Sequence, residues 1–516
     1  MKQENLKSSI NNWLIIGLIC LTSVLIIWAR SELINADTAW HITLGEWILE
    51  NKKVPTTDIF SQYYVLDNKT MTFLSHQWLT DIVFSIVHKI GKMNLLYTFM
   101  VMAIFVGHMY VVKCQKKEHR ITSALILLSF SIVGFNKELW ITPDTLAAVF
   151  LIFINYNIIT WIKNWDKLSF TKFLILNSIY TLILANTHGG MLSANIIIQF
   201  VNLFGFIILY RDDKMKTRIK QSILLLTSTF LVGLINPHFI KIYGYGFMNN
   251  STAAKYLEDW ETFKFNSSIQ VFVVGLIVLL AIVGIVIEYN KIKGINKSKS
   301  NIQMDILLFC MYAGMLFRYQ RTLNIFTLAF TLYFSKYVYQ SVINLIATIN
   351  VNKLKKIKNI VIIIFIIVFI IVDTSILINK PEKNKTIQQC AEDYISREMV
   401  EYIKGEGEQA RIFNTIECGG YLICLGIAPY IDGRTDPYLS EYGNQDLFSK
   451  SIKAVHSIEL LEELTVTEKI DCLILRKNAI ASQIVYASSN WEVKCESKAA
   501  VMFVRKTDKK GGVIKK

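Results

Sequence analysis

The residues best placed to do chemistry lie near the N-terminus, in Ile34-Asn35-Ala36-Asp37-Thr38-Ala39-Trp40-His41-Ile42-Thr43-Leu44-Gly45-Glu46-Trp47-Ile48. A carboxylate in such company can take a proton from a hydroxyl, and an imidazole beside it can orient a substrate. Trp40, Leu44, Trp47 and Ile48 recur at helical spacing and form one apolar face, with Glu46, Glu50 and Lys53 away from it. That is the pattern of a helix lying in a membrane interface. Asp37 falls at the start of this helix, where two readings are open. It is either a cap whose carboxylate satisfies free backbone N–H groups or a catalytic group.

Further candidates follow along the chain. Pro55-Thr56-Thr57-Asp58 reads as a turn, and Ser75-His76-Gln77-Trp78-Leu79 opens a second amphipathic stretch that runs to Ile90. His76 can bond a sugar or phosphate oxygen or serve only the structure. Beyond these come Glu138 with Pro143-Asp144, then Asn186-Thr187-His188-Gly189-Gly190, Asn236-Pro237-His238, Glu258-Asp259-Trp260 and Arg318-Tyr319-Gln320-Arg321. Gly189-Gly190 and Asn236-Pro237 are also adequate helix terminators. Arg318 and Arg321 either snorkel to headgroups or, three apart on one helix face, grip a phosphate together.

The elements that must hold these residues are membrane spans. The chain has 516 residues, 53% hydrophobic and only 18% charged, with a mean hydropathy of +0.38, whereas ordinary soluble domains carry about 25% charge. Apolar runs of a length that crosses a hydrocarbon core predict about eleven transmembrane helices: 13–28, 93–112, 121–135, 143–162, 173–185, 191–210, 222–235, 269–287, 304–317, 323–343 and 360–377. The loops 113–120, 163–172, 211–220, 288–301 and 350–359 each carry several Lys or Arg, and most loops between them carry few. By the positive-inside rule the N-terminus is cytoplasmic and the polar groups named above collect at the outer ends of the spans.

The formal net charge of +15 does not point to nucleic acid, because the basic residues sit between apolar runs rather than on one solvated face. The eight cysteines show no metal-type pairs and no complete disulfide framework is expected. The expected architecture is an α-helical multi-pass membrane domain over 1–378, with a large first external loop at 31–92, and an extracytoplasmic C-terminal α/β domain over 379–516. In that domain strand-like runs at 411–413, 420–425, 471–475 and 499–504 alternate with helix-like stretches at 391–404 and 451–464. Asp432-Gly433-Arg434-Thr435-Asp436 looks like a catalytic loop, but Asp-Gly is a common turn signal and a turn is the favoured reading.

The arrangement resembles the GT-C superfamily of integral-membrane glycosyltransferases, which includes protein O-mannosyltransferases and bacterial aminoarabinose transferases. The resemblance is carried by the first span followed by Ala36-Asp37-Thr38-Ala39-Trp40-His41 and Gly45-Glu46-Trp47-Ile48-Leu49, then Val54-Pro55-Thr56-Thr57-Asp58-Ile59-Phe60-Ser61 and Gln77-Trp78-Leu79. Asn186-Thr187-His188-Gly189-Gly190, Arg321-Thr322-Leu323-Asn324-Ile325-Phe326, Gly419-Gly420-Tyr421-Leu422 and Asp432-Gly433-Arg434-Thr435-Asp436-Pro437-Tyr438 extend it over nearly the whole chain. It implies a sugar donor carried on a polyprenyl phosphate and an envelope glycan, lipid or protein acceptor, in the cell membrane. It also implies that Asp37 is essential, either as the base that deprotonates the acceptor or as a ligand for a divalent cation such as Mg or Mn. Asp144 or Glu138 would be the assisting acid. Gln77 stands where relatives have an acid, which weakens the case for a second carboxylate and for metal.

Loss of a sugar from a lipid phosphate leaves negative charge on the phosphate, so a fixed cation is needed nearby. Arg318 and Arg321 are the candidates, with His41, His76, Trp78 and His188 as substrate-binding groups. One carboxylate suffices for single-step inversion, because the departing phosphate needs no proton. The competing functions are a transporter or flippase of a lipid-linked glycan and a non-catalytic envelope-assembly scaffold. The apolar spans are uninterrupted and the charges lie at their ends, which is unlike the broken helices of transporters.

Overall fold

In a computed structural model the described residues are 2–31, 35–136, 141–165, 167–210, 213–248, 261–292, 296–347, 385–405 and 409–506. Ten of the eleven expected spans fall on helices: α1 (Lys2–Arg30), α3 (Trp78–Lys113), α4 (Arg120–Ile132), α5 (Pro143–Lys163), α6 (Phe170–Thr187), α7 (Gly189–Leu209), α8 (Met215–Gly233), α10 (Ser268–Lys291), α11 (Asn296–Arg318) and α12 (Leu323–Ala347). Between them lie α2 (Ala36–Asn51) and α9 (Lys241–Met248). The expected span at 360–377 lies outside the described residues, as do Glu138 and Glu258-Asp259-Trp260. Among the described residues six helices are long and apolar enough to cross a membrane: α3, α5, α7, α10 and the apolar stretches of α1 and α11. α3 joins the second amphipathic stretch to its span through a kink at Gly91 and Lys92, where Lys92 has φ 55°.

In lipid, apolar contact alone gives neighbouring helices little reason to associate, so small residues and polar bonds fix them. α6, α7 and α8 share a closed ring in which Asn177 donates to Thr229 at 2.9 Å, Thr229 to Gln199 at 2.9 Å and Gln199 back to Asn177 at 3.2 Å. α1 meets α4 through Ser23 and Ser131, 2.7 Å apart. Where α10 crosses α12, a Cβ on Gly284 would lie 2.0 Å from the carbonyl oxygen of Tyr337, so only glycine admits the crossing. Near the other end of α5, the buried carboxylate of Asp305 takes Lys163 at 2.5 Å, Lys336 at 2.6 Å and the Tyr337 hydroxyl at 2.8 Å.

The C-terminal α/β domain has a four-stranded sheet of β1 (Ile412–Asn414), β2 (Cys472–Arg476), β3 (Trp491–Glu496) and β4 (Ala500–Arg505) in the order β1-β2-β4-β3. β1 and β2 are parallel and the other pairs antiparallel. Around it pack α13 (Ile387–Tyr394), α14 (Arg397–Lys404), α15 (Ile416–Cys424), α16 (Leu447–Ala454), α17 (Ile458–Thr467) and α18 (Ile480–Tyr486). The run expected as a strand at 420–425 is the end of α15. An apolar run of this length does not distinguish a strand from a buried helix, and Gly419 and Gly420 let this helix close on its neighbours. A Cβ on Gly420 would lie 2.0 Å from the Ala36 carbonyl oxygen.

α2 also departs from expectation. Trp40, Leu44 and Ile48 are buried against Phe73 and Ile423, so protein rather than lipid covers the apolar face. Ala39 and Ile42, on another face, join Phe84 and Met93 of α3 and Ile387, Met399 and Met502 in one core. The first loop is thus packed between the bundle and the C-terminal domain.

Polar bonds fasten that loop on both sides. Gln62 exchanges hydrogen bonds with the backbone of Ile412, at 3.0 and 3.3 Å, and Asn444 does the same with Thr72, at 2.8 and 3.0 Å. Arg434 is buried and donates to Asp58 at 2.6 Å and to Asp432 at 2.8 and 2.7 Å, while Tyr438 donates to Asp432. Burial alone would raise the Asp58 carboxyl, but Arg434 and the hydrogen bonds of Ser61 and Phe60 bring it below the ordinary carboxylate value. Removing one partner of such a pair strands a buried charge, so Arg434→Met is expected to destabilise the protein by about 3–5 kcal/mol. Unfolding of the purified variant checks this, and an unchanged midpoint would show that the pair is dispensable.

On the bundle side, Ser75 donates to the Pro55 carbonyl at 2.6 Å, so His238 Nε2, 3.1 Å away, must be the donor to Ser75 Oγ. Burial, with Lys241 nearby, pushes the His238 imidazole from its ordinary 6.5 down to about 4. The folded state therefore refuses a proton that the unfolded chain accepts. Stability is full above the ordinary value and falls as pH drops below it, by about 1.4 kcal/mol per pH unit. His238→Gln, which keeps an N–H donor, is expected to flatten the acid side of the stability profile by that amount. Parallel profiles for the two proteins would refute the assignment.

Candidate active site

The cap of α2 is Asn35, whose side chain accepts the Thr38 N–H at 2.9 Å. Asp37 is therefore not the cap. It sits in the first turn, where the helix dipole favours a carboxylate. Its side chain is half-buried, and Oδ1 accepts the indole N–H of Trp40 at 3.0 Å. From the C-terminal domain, Gly433 presses on the same atom: a Cβ there would lie 2.1 Å from Asp37 Oδ1. The backbone of the Asp432-Gly433-Arg434 loop thus closes over the carboxylate, and the buried Arg434 pairs hold that loop in place. On its other side, Thr38 donates to the carbonyl of Ile141 at 3.1 Å, just ahead of α5.

A second group forms from four separate loops. Asp144 Oδ1 accepts from Arg321 Nη2 at 2.8 Å, and His188 Nε2 stands 2.8 Å from the same oxygen. His188 Nδ1 accepts the Met191 N–H at 3.2 Å and so caps α7, which leaves a neutral ring's proton on the side of Asp144. His76 Nδ1 accepts the Gly189 N–H at 3.2 Å. Its ring lies 3.8 Å from that of Tyr245 and 5.3 Å from that of His188. Burial, and then the neighbouring His188, hold His76 well below the ordinary imidazole value, so it is neutral. The arrangement offers one guanidinium, held by a carboxylate that is itself only partly covered.

The remaining candidates stand apart. His41 Nδ1 lies 2.6 Å from Asp81 with both residues buried, at the crossing of α2 and α3 where a Cβ on Gly45 would meet the Asp81 carbonyl oxygen at 2.0 Å. Trp78 donates its indole N–H to Asn186 at 2.9 Å and links the start of α3 to the end of α6. Arg318 and Arg321 do not share a helix face, because α11 ends at Arg318 and Arg321 belongs to the following turn, Gln320–Thr322. Arg318 is exposed and lies over the Tyr319 ring at 4.5 Å.

Trp40 as the partner of Asp37 was available in the sequence, three positions along a helix. Asp81 was available too, a turn beyond Gln77, but it is taken up by His41. Gly433 and Tyr245 reach the two groups by tertiary packing alone. Among the described residues no three His, Cys, Asp or Glu side chains converge as metal ligands. Trp40 and Gly433, which stand against Asp37, are not metal ligands.

No protein-family model and no curated protein sequence matches the chain. Solved structures do. The archaeal oligosaccharyltransferase AglB from Archaeoglobus fulgidus, in complex with an inhibitory peptide and a dolichol-phosphate, superposes with a TM-score of 0.58 at 9% identity, covering 90% of this chain and 69% of that one. The Archaeoglobus fulgidus oligosaccharyltransferase in complex with Zn and sulfate gives 0.53 at 10% identity, over 90% and 68%. ArnT from Cupriavidus metallidurans, bound to undecaprenyl phosphate, gives 0.51 at 10% identity, over 95% of this chain and 97% of that one. With its helical bundle, its packed first loop and its C-terminal α/β domain, the chain shares the fold of these solved structures.

Proposed function

We propose that the protein is a GT-C-type glycosyltransferase that moves a hexosyl or pentosyl group, with inversion, from a polyprenyl-phosphate donor to an envelope glycan, lipid or protein acceptor. The observation that carries this reading is Asp37: a half-buried carboxylate, oriented by Trp40 and closed over by Gly433, in a fold shared with proteins solved with dolichol-phosphate and undecaprenyl phosphate. The charge pattern of the loops supports an outer-face site, with 1–378 as the membrane domain and 379–516 as an extracytoplasmic domain whose Asp432-Gly433-Arg434 loop completes the site.

In this reading Asp37 takes the proton of the acceptor hydroxyl as its oxygen attacks the anomeric carbon. The bond to the phosphate breaks with its electron pair left on the phosphate. Arg321 stabilises that charge, positioned by Asp144, and His188 and His76 orient the donor. Arg318, exposed at the end of α11, meets lipid headgroups. The acceptor proton passes to Asp37 and no second acid is required.

Asp37→Asn keeps the shape of the site and removes the base, so transfer is expected to fall by about 10²- to 10⁴-fold. Mass-spectrometric profiling of polyprenyl-phosphate sugars and envelope glycans in the native host would then show accumulated donor and a glycan short of one residue, at normal protein level. Unchanged glycans at normal protein level would refute the proposal. Gly433→Ala puts a methyl where the Asp37 oxygen now sits. A displacement of the carboxylate on the order of 1 Å is expected to cost about 10²-fold in transfer with the protein still folded. Wild-type transfer by this variant would show that the loop does not seat Asp37.

A further inference from the structure

Charged side chains of α5, α11 and α12 meet inside the bundle, far from Asp37. Asp305 to Arg318 along α11, and Leu323 to Lys336 along α12, each span about 20 Å at ~1.5 Å per residue. Lys163, which joins them, is the last residue of α5. In a hydrocarbon core about 30 Å thick the cluster belongs to the leaflet away from Asp37, which the loop charges make the cytoplasmic one.

This cluster holds one cation more than its carboxylate can cancel. Asp305 is 0% exposed. Its Oδ1 accepts from Lys163 at 2.5 Å, and its Oδ2 from Lys336 at 2.6 Å and from the Tyr337 hydroxyl at 2.8 Å. Both carboxylate oxygens are therefore engaged. Among the described residues no other carboxylate comes within 4 Å of either ammonium. Glu288 of α10 and His119, which face the same region, form no ion pair with Lys336. The Tyr210 hydroxyl is taken by Asn301 at 2.5 Å. Each ammonium has three N–H groups and gives one to Asp305; Lys336 also lies over the Tyr337 ring at 4.6 Å. The Lys163 side chain is 20% exposed and that of Lys336 36%, so the remaining donors reach the surface of the bundle.

An ionisable group within a span marks a functional site. A joint between helices would need only one lysine with Asp305, a pair that is already neutral. A second ammonium at low dielectric costs free energy unless an anion meets it. The medium at this surface is lipid, and the anion that lipid supplies is a phosphate, which lysine binds as a point charge.

We propose that Lys163 and Lys336 bind the phosphate of an anionic phospholipid, of the phosphatidylglycerol kind, in the leaflet away from Asp37. Asp305 sets the spacing of the two ammonium groups, and the basic loops 163–172 and 211–220 draw such lipids to this face. The bound lipid ties together α5, α11 and α12, the helices whose other ends carry Asp144 and flank the Arg321 turn. The site is independent of the transferase reading.

The test titrates the full-length protein, purified in detergent, with phosphatidylglycerol and with phosphatidylcholine of the same acyl chains, and reads each affinity by native mass spectrometry. Phosphatidylglycerol is expected to bind about fivefold more tightly, the size of one lysine's attraction to an anionic headgroup. Lys336→Met leaves the neutral pair of Lys163 and Asp305, and Lys163→Met leaves that of Lys336 and Asp305, so each is expected to fold and to abolish the preference. If a methionine variant does not fold, Lys336→Gln, which keeps a donor for Asp305, reads the same loss. Lys336→Arg is expected to keep the preference, as is Lys172→Met, which removes an exposed charge from the same face. Excess inorganic phosphate is expected to leave the lipid bound. A wild-type protein without the preference, or a preference that survives loss of either lysine's charge, overturns the site. An equal loss in Lys172→Met would show diffuse attraction in its place, and displacement by inorganic phosphate would make the ligand a free anion; either result overturns the lipid assignment.

Discussion

The interaction on which the site depends is the burial of Arg434 between Asp58 and Asp432. One carboxylate comes from the loop after α2 and the other from the C-terminal domain, so the ion pair is the joint between two regions far apart in the chain. Burying three charges is costly unless each finds its partners. Here the guanidinium has both carboxylates and the Tyr438 hydroxyl, with Phe60 and Phe73 over it at 5.2 and 5.1 Å. Asp58 is tied further by the backbone N–H groups of Phe60 and Ser61, each at 3.1 Å. Geometry this constrained fixes Gly433, the residue between Asp432 and Arg434, to within the contact it makes with Asp37. The pair thus converts a docking contact into the placement of the Asp37 carboxylate.

The polar groups of the bundle follow a related division. Near the far end of α5, charged groups meet at Asp305, and in the middle neutral amides and hydroxyls close rings among α6, α7 and α8. At the site end the Asp144 carboxylate is more open to solvent than Asp305. Arg321 shares Asp144 with His188, and both are part-exposed. In a low-dielectric setting a guanidinium prepaid by a carboxylate stays oriented without donor bound, and a phosphate arriving beside it can share the charge. The pair of arginines expected to do this on one helix face is split by the end of α11, and of the two it is Arg321 that a carboxylate holds.

How much of this could be read in the chain depended on the range of the interaction. Spans are local and nearly all their positions were legible from apolar runs. The amphipathic stretch opening at Ser75 was legible as well, although its fusion to the following span depends on the positive φ of Lys92. The helix around Asp37 was legible from its period, but not what covers it, since Trp40, Leu44 and Ile48 look the same facing lipid or protein. The end of α15 was misread as a strand because Tyr421-Leu422-Ile423-Cys424 has no period of its own. β3 went unread because its alternation breaks at a register shift between Val493 and Cys495. Asp37 stood out by position, whereas Gly433 did not, because a glycine chosen for the space it leaves carries no signature except in the contact itself.

The site's asymmetry then has a physical basis in the chain. The half that would handle charge, Asp144 with Arg321 and His188, is built from helix ends and the turns that join them. The half that would move the proton is built from the first loop and a domain joined late in the sequence. A carboxylate that must be a base gains nothing from a neighbouring cation, which would lower its affinity for the proton. Asp37 accepts an indole N–H and lies against a glycine, while the guanidinium of Arg434 is taken up by Asp58 and Asp432. The same ion pair that places the loop therefore also keeps the positive charge of Arg434 committed to two carboxylates, which is how the fold accommodates an arginine beside Gly433.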